Sequence, residues 1–400
     1  MGSILARPKS EDDNIRLRPR TKADMPVIHN KKLAKGWTLK NSVFAAYKSD
    51  SKKILQAAFS SDYMRSKSRQ MEEKMSEEDE KMAFRNGLMS SFPVLKQIFR
   101  HYGAAYSNEV WVVGVNAFAQ LVTDLKILKD EEAGEGSLPK LERSSSSLKG
   151  KGGGGFSRVE ADLIFVSSCW VGGKTLNRQQ FLDAIVQLAT CRFIKYGGET
   201  PPLTLARAVE KLAVEHVAKF AEKDPFPDFK EKFLYNKTAD DIIREVKDKM
   251  LVAFKLHSGR DDTPGEAKTM SMGEYVELLA WCKIDGRITE RATRLSFVRA
   301  KETVIDETDA RSVHKKLKFV EFLEVMSRVA FAVYCCEKVG GSEREVEGML
   351  VDVDEFYRCM REVFELVVGR ADAASKKGRG ARLSLEGVAK GLAGKVEGAV

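Results

Sequence analysis

Cys-x-x-Cys pairs are missing from this sequence. Six cysteines occur, Cys169, Cys191, Cys282, Cys335, Cys336 and Cys359. The five histidines, His29, His101, His216, His257 and His314, stand alone. Zinc sites draw on Cys and His at short spacing, so none is expected. Long apolar runs are also missing. The longest, 250–254 and 329–336, fall far short of the ~20 residues that a membrane helix needs. No charged segment followed by an apolar one opens the chain, so a secretory signal is not expected. Reduced thiols in the cytoplasm are then the default. Alternation of β-branched and polar residues is nearly absent, which argues against a sheet. Neither Gly-x-Ser-x-Gly nor His-Glu-x-x-His occurs, and no cysteine has a histidine in local context.

What is present suits a helical body. The chain has 400 residues, 43% of them hydrophobic, enough to bury a core and to form two or three domains. The net charge of +9 sits at the ends. Residues 1–40 hold ten Lys/Arg against four Asp/Glu, and residues 370–400 hold seven against three. The stretch between is close to neutral. Basic ends of this kind dock on polyanions or are simply solvated. Residues 1–36 read as a disordered basic arm and 370–400 as a basic tail. The segment 129–157, with Ser144–Ser147 and Gly152–Gly155, reads as a flexible insert.

Apolar residues recur at helical spacing through the rest. Leu55, Phe59 and Tyr63 form one stripe, and Phe92, Leu95, Ile98, Phe99 and Tyr102 another. Further helices are expected over 115–128, 176–193, 203–222, 229–235, 240–256, 272–284, 290–300, 319–334 and 346–367. The fold class is therefore all-α.

The chain also repeats itself. Phe181-Leu182-Asp183-Ala184-Ile185-Val186-Gln187-Leu188-Ala189 recurs as Phe322-Leu323-Glu324-Val325-Met326-Ser327-Arg328-Val329-Ala330. Phe118-Ala119-Gln120-Leu121-Val122 corresponds to Tyr275-Val276-Glu277-Leu278-Leu279. Each copy follows a loop apolar residue and a polar helix start. The pattern resembles the EF-hand, in which the residue at loop position 8 pairs across a short bridge. In that family position 9 starts the exiting helix, position 12 supplies a bidentate carboxylate, and an aromatic follows. Leu176, Asn177, Gln180 and Phe181 fill positions 8, 9, 12 and 13 of one unit. Met270, Ser271, Glu274 and Tyr275 fill them in the third unit along the chain, and Leu317, Lys318, Glu321 and Phe322 in the fourth. Val113, Gly114, Ala117 and Phe118 form the weakest unit.

The resemblance implies two lobes of paired helix–loop–helix units, 37–196 and 240–338. Connecting helices over 197–239 would join them and a C-terminal helix over 339–369 would follow. Calcium binding needs oxygen ligands at positions 1, 3, 5 and 12. Two loops lack a carboxylate at position 12, and the other two are longer than the twelve-residue pattern. The loops thus read as mostly degenerate, retained for shape, and no cofactor is expected. One irregular calcium site is conceivable, from Asp306, Glu307 and Asp309 with Glu321. Asp261, Asp262 and Glu266 of the third loop read as solvated acids.

A narrower resemblance is to EF-hand-like flagellar-associated proteins of protists and algae. It rests on Phe297-x-x-Ala300-Lys301-x-Thr303-Val304-x-Asp306-Glu307, on Leu317-x-Phe319-x-Glu321-Phe322-Leu323-Glu324, and on Asp162-Leu163-Ile164-Phe165 leading to Leu176-Asn177-Arg178-x-x-Phe181-Leu182. It covers roughly residues 40–335. One departure is the short loop 167–174. The resemblance implies a cytoplasmic, ciliary or cytoskeletal interaction protein whose axonemal or microtubule-associated partners lay a helix into grooves lined by Phe118, Phe181, Ile185, Tyr275, Phe322 and Met326.

Two rivals remain. One is a calcium sensor. The other is a nucleotide hydrolase, because Ser168-Cys169-Trp170-Val171-Gly172-Gly173-Lys174-Thr175 resembles a phosphate-binding loop with Ser for the first Gly. That reading requires a parallel strand over 161–167, with Asp352 as a distant metal residue. Trp111, Trp170 and Trp281 sit beside the loops and read as core or interface aromatics.

Overall fold

The computed structural model describes residues 36–47, 50–107, 109–128, 156–170, 172–218, 229–260, 262, 267–309, 313–339 and 351–377. The basic arm, most of the insert, the end of the tail, Asp261 and Glu266 lie outside them. The described residues are dominated by helices. Helices α1 (Lys52–Met64), α2 (Lys67–Glu73) and α3 (Glu78–Tyr106) open the first half. Strand β1 (Val113–Gly114), α4 (Val115–Asp124), α5 (Arg158–Ser168), β2 (Thr175–Leu176), α6 (Arg178–Ala189) and α7 (Leu205–Leu212) complete it. The second half holds α8 (Lys237–His257), α9 (Met272–Cys282), α10 (Glu290–Ala300), α11 (Phe319–Val339) and α12 (Val353–Lys377).

Local chemistry sets the helix starts. Ser157 and Glu160, Asn177 and Gln180, and Ser271 and Glu274 each form a reciprocal capping box. Each box satisfies two of the backbone donors that a helix start leaves unpaired. The single-turn π-helical segment at Thr190–Lys195 prolongs α6. Pro93 sits inside the 29-residue α3, where its ring nitrogen cannot donate the usual backbone bond.

The only strands among the described residues are two residues long. Val113 pairs antiparallel with Leu176, and Gly114 with Thr175. Met270 and Leu317 form an isolated antiparallel bridge, each amide donating to the other carbonyl at 2.8 Å. The four residues assigned to loop position 8 are thus paired two by two. All four are buried.

Two apolar cores result. The first gathers Phe59, Phe84, Phe92, Phe99, Phe118 and Phe181 with residues as far as Val217. The second gathers Phe229, Phe254, Tyr275, Phe297, Phe322 and Phe356 with the rest of α12. The division differs from the expected boundaries. Phe44 packs in the second core, and the Asp240 carboxylate accepts from the Val43 backbone N–H at 2.7 Å and from the Trp37 indole N–H at 3.1 Å. Residues 36–47 therefore belong with the second half. The connecting segment is split: α7 joins the first core, while Phe229, Phe233 and Leu234 join the second. Helix α12 is integral to the second core.

The halves touch at α3 and at the first loop. Trp111 is buried against Phe297 and His314. A Cβ on Gly103 would lie 3.0 Å from the carbonyl oxygens of Val110 and Val112. Glycine there lets the end of α3 close on the loop that carries Trp111.

None of the six cysteines forms a disulfide, and only Cys191 and Cys336 are partly exposed. Burial pushes Cys282 up to about 12 and Cys359 up to about 11. Thiolate is the reactive form. A disulfide-exchange reagent at pH 8 is expected to titrate two thiols quickly in the native protein and all six in guanidinium chloride. Rapid reaction of four or more in the native protein would contradict this packing.

Candidate functional site

The richest cluster of charge surrounds the loop between α10 and α11, the segment that carries the candidate calcium ligands. Its acids face basic residues from the first half. Arg178 opens α6 and is 3% exposed. Its guanidinium donates to Asp62 of α1 at 2.6 and 3.1 Å, and to Glu307 at 2.6 Å. It also donates to the carbonyls of Val304 at 3.0 Å and Ile305 at 3.1 Å. The planar fork of five N–H donors allows one side chain to hold a helix and a loop together.

Three further bases reach the same loop. Arg65 donates to Asp306 at 2.6 Å and to Asp309 at 2.8 Å, and Ser61 donates to Asp306 at 3.0 Å. Arg100 donates to the carbonyls of Lys301 at 2.8 Å and Glu302 at 3.3 Å. Lys96 donates to Thr303 at 2.7 Å and pairs with Asp50.

The electrostatics follow from burial. Burial raises Asp62 to about 6, against the pull of Arg178, with Glu307 and Asp306 adding to the rise. Burial, with Arg100 beside it, lowers Lys96 to about 7 against the pull of Asp50. Desolvation is the largest single influence on the half-buried Asp306 and would raise it, but its partners together outweigh it. The Asp309 backbone N–H, Arg65 and Ser61 hold it down to about 2.

Glu321 points elsewhere. It is fully buried. Its carboxylate accepts from the backbone N–H of Lys318 at 2.6 Å and of Glu302 at 2.8 Å. The Lys301 ammonium lies 3.0 Å from one Glu321 oxygen and 3.1 Å from the other. The same ammonium donates to the Lys316 carbonyl at 2.8 Å. Burial raises Glu321 and lowers Lys301, and each opposes the other's shift.

The expected calcium ligands are therefore not brought together. Asp306 and Asp309 go to Arg65, Glu307 to Arg178, and Glu321 to Lys301. No group of three or more His, Cys, Asp or Glu able to hold a metal occurs among the described residues. The third loop's Asp262 accepts from the Thr269 backbone N–H and hydroxyl at 2.6 Å each and from Lys316 at 2.9 Å.

No family model, curated protein or solved structure matches this chain.

The expected partner groove needs correcting. Phe118, Phe181, Ile185, Tyr275, Phe322 and Met326 are all 2% exposed or less. They line no open groove, because the two cores close over them. Phe181 packs on Phe99, and Phe322 on Phe254 and Phe319. The phosphate-loop reading meets a different obstacle. Residues 161–167 lie within helix α5, so the parallel strand that it requires is absent there. Gly172 has φ +77°, as a turn glycine does.

Of the three tryptophans beside the loops, Trp111 is buried and Trp281 packs at a tilt on His257. Trp170 is 58% exposed and follows the end of α5, whose exposed face carries Val159 (68%), Leu163 (63%) and Val166 (66%). The spacing of four and three puts Val159, Leu163 and Val166 on one helix face, while Trp170 lies beyond Cys169, where the backbone has turned extended. No helix among the described residues is long and apolar enough to cross a membrane.

The residues that sequence reading missed are the cations. Arg178 and Lys301 each appear in the motifs quoted above, but as single basic residues between apolar positions they carry no periodic signal. The α5 face was legible only as Leu163 in the motif Asp162-Leu163-Ile164-Phe165. Its exposure was not.

Proposed function

We propose that this chain is a non-catalytic interaction protein built from two EF-hand-like lobes that operate without calcium. One observation carries the reading. The backbone pairs Val113–Leu176 and Met270–Leu317 join the four residues that occupy one position of the repeat. The ion pairs of the fourth loop agree with it, since every candidate ligand there already has a basic partner.

The partner surface in this reading is the exposed α5 face of Val159, Leu163 and Val166, with Trp170 just beyond the helix end. Four side chains, about two-thirds exposed, fall well short of the ~800 Å² per side of a stable dimer. The helical part, Val159 to Val166, spans about two turns and suits one amphipathic helix of a partner, recognised by anchors at helical spacing. The resemblance to flagellar-associated proteins makes an axonemal partner, and a cytoplasmic or ciliary location, the first to test.

The test is co-sedimentation with demembranated axonemes, in calcium and in chelator. The wild-type chain is expected to pellet equally in both. Leu163→Glu with Trp170→Glu is expected to keep its helicity and melting temperature and to stay in the supernatant. Calcium-dependent pelleting would favour a sensor. Equal pelleting of the variant would remove the α5 face, and no pelleting of the wild type would remove the axonemal partner.

A further inference from the structure

The Lys301 ammonium has a place in the repeat that its neighbours define. Leu317 is position 8, so Lys316 is position 7 and Glu321 is position 12. In an ion-binding loop, position 7 offers its backbone carbonyl and position 12 both oxygens of its carboxylate. Those are the three acceptors around Lys301: the Lys316 carbonyl at 2.8 Å and the two Glu321 oxygens at 3.0 and 3.1 Å. Two of the ammonium's three donors hydrogen-bond the Lys316 carbonyl and one Glu321 oxygen, and the other Glu321 oxygen completes the ion pair. The distances are those of N–H···O bonds, longer than the ~2.3–2.6 Å of a calcium–oxygen contact. Lys301 is also the first residue after α10, where a binding loop would place a carboxylate.

We infer that the fourth loop is a cation site already filled by the chain's own Lys301 ammonium, a tethered substitute for the metal ion. This rests on the helix-pair reading above and deepens it. A free divalent ion must be captured from solution and can leave. A lysine on the loop's own backbone does neither, so position 12 stays bound to the end of α10 at any calcium level. Backbone donors add to the seat: the Glu321 oxygens also accept from the Glu302 and Lys318 amides. Both ions are buried, at 2% and 0% side-chain exposure. Removing one alone strands the other, whereas removing both charges does not.

The experiment uses the full chain and thermal melting. Wild type is expected to melt at the same temperature in calcium and in chelator. Lys301→Ala is expected to melt lower and to regain part of the loss in methylammonium chloride, relative to equal sodium chloride, while wild type gains nothing. Lys301→Met with Glu321→Gln is expected to melt above Lys301→Met alone, which keeps the test open if the single variants fold poorly. No methylammonium recovery, together with a double variant no better than the single, would overturn the inference. Amide exchange at Met270 and Leu317 in wild type tests the underlying reading separately. Rapid exchange of both would remove the loop pairing, whatever Lys301 does.

Discussion

Replacing Arg178 by Met is expected to lower the unfolding free energy by about 3–5 kcal/mol, the range for breaking a buried ion pair from one side. Asp62 is 8% exposed at its side chain and Glu307 15%, so neither can turn to water without rearrangement. Two loop carbonyls, of Val304 and Ile305, lose their donor as well. The variant also has a pH signature. Asp62 is already raised to about 6 by burial, with Glu307 and Asp306 opposing its charge and Arg178 supporting it. Without Arg178 its folded value rises further. A carboxyl raised on folding contributes stability that is complete below its unfolded value, near 4, and is lost as pH climbs through the folded value. The deficit of Arg178→Met relative to wild type is therefore expected to be larger at pH 8 than at pH 5. Urea unfolding followed by circular dichroism at both values measures it. A deficit below ~1 kcal/mol at pH 8 would mean that Arg178 does not join the halves. Arg178→Lys is expected to fall between the two, because a point charge cannot reach two carboxylates and two carbonyls.

Phe322→Ala is expected to cost about 3–5 kcal/mol, the usual range for emptying a buried phenylalanine site. The ring has no exposed surface, and it sits 5.3 Å from Phe254 and 6.2 Å from Phe319. Phe181→Ala is expected to behave alike in the first core, where the ring meets Phe99 at 5.5 Å. Core and groove predict different outcomes. A groove residue would lose partner binding at unchanged stability. A core residue shifts the urea midpoint whether or not a partner is present. A midpoint within experimental error of wild type for both variants would return these residues to a partner-facing role.

The sequence by itself determined the local structure. The helices from 272 to 300 lie within about two residues of the periodic stripes, because turns of 3.6 residues repeat within one segment. The capping boxes at Ser157, Asn177 and Ser271 are legible for the same reason, since their partners stand three residues away. The repeat also singles out Val113, Leu176, Met270 and Leu317, the four residues that pair.

Only the tertiary structure decided which charge meets which. Arg178 and Asp62 are 116 residues apart, and Arg65 and Asp306 are 241 apart. Ion pairs at such separation have no period, and any of the loop's acids could have met any base or an ion. The same holds for Phe44, whose segment crosses to the second core. Tertiary packing also turned the six expected groove residues inward and left the α5 stripe outward. Apolar periodicity shows that a helix has a face to bury, but the neighbouring helices decide which face finds a partner within the chain.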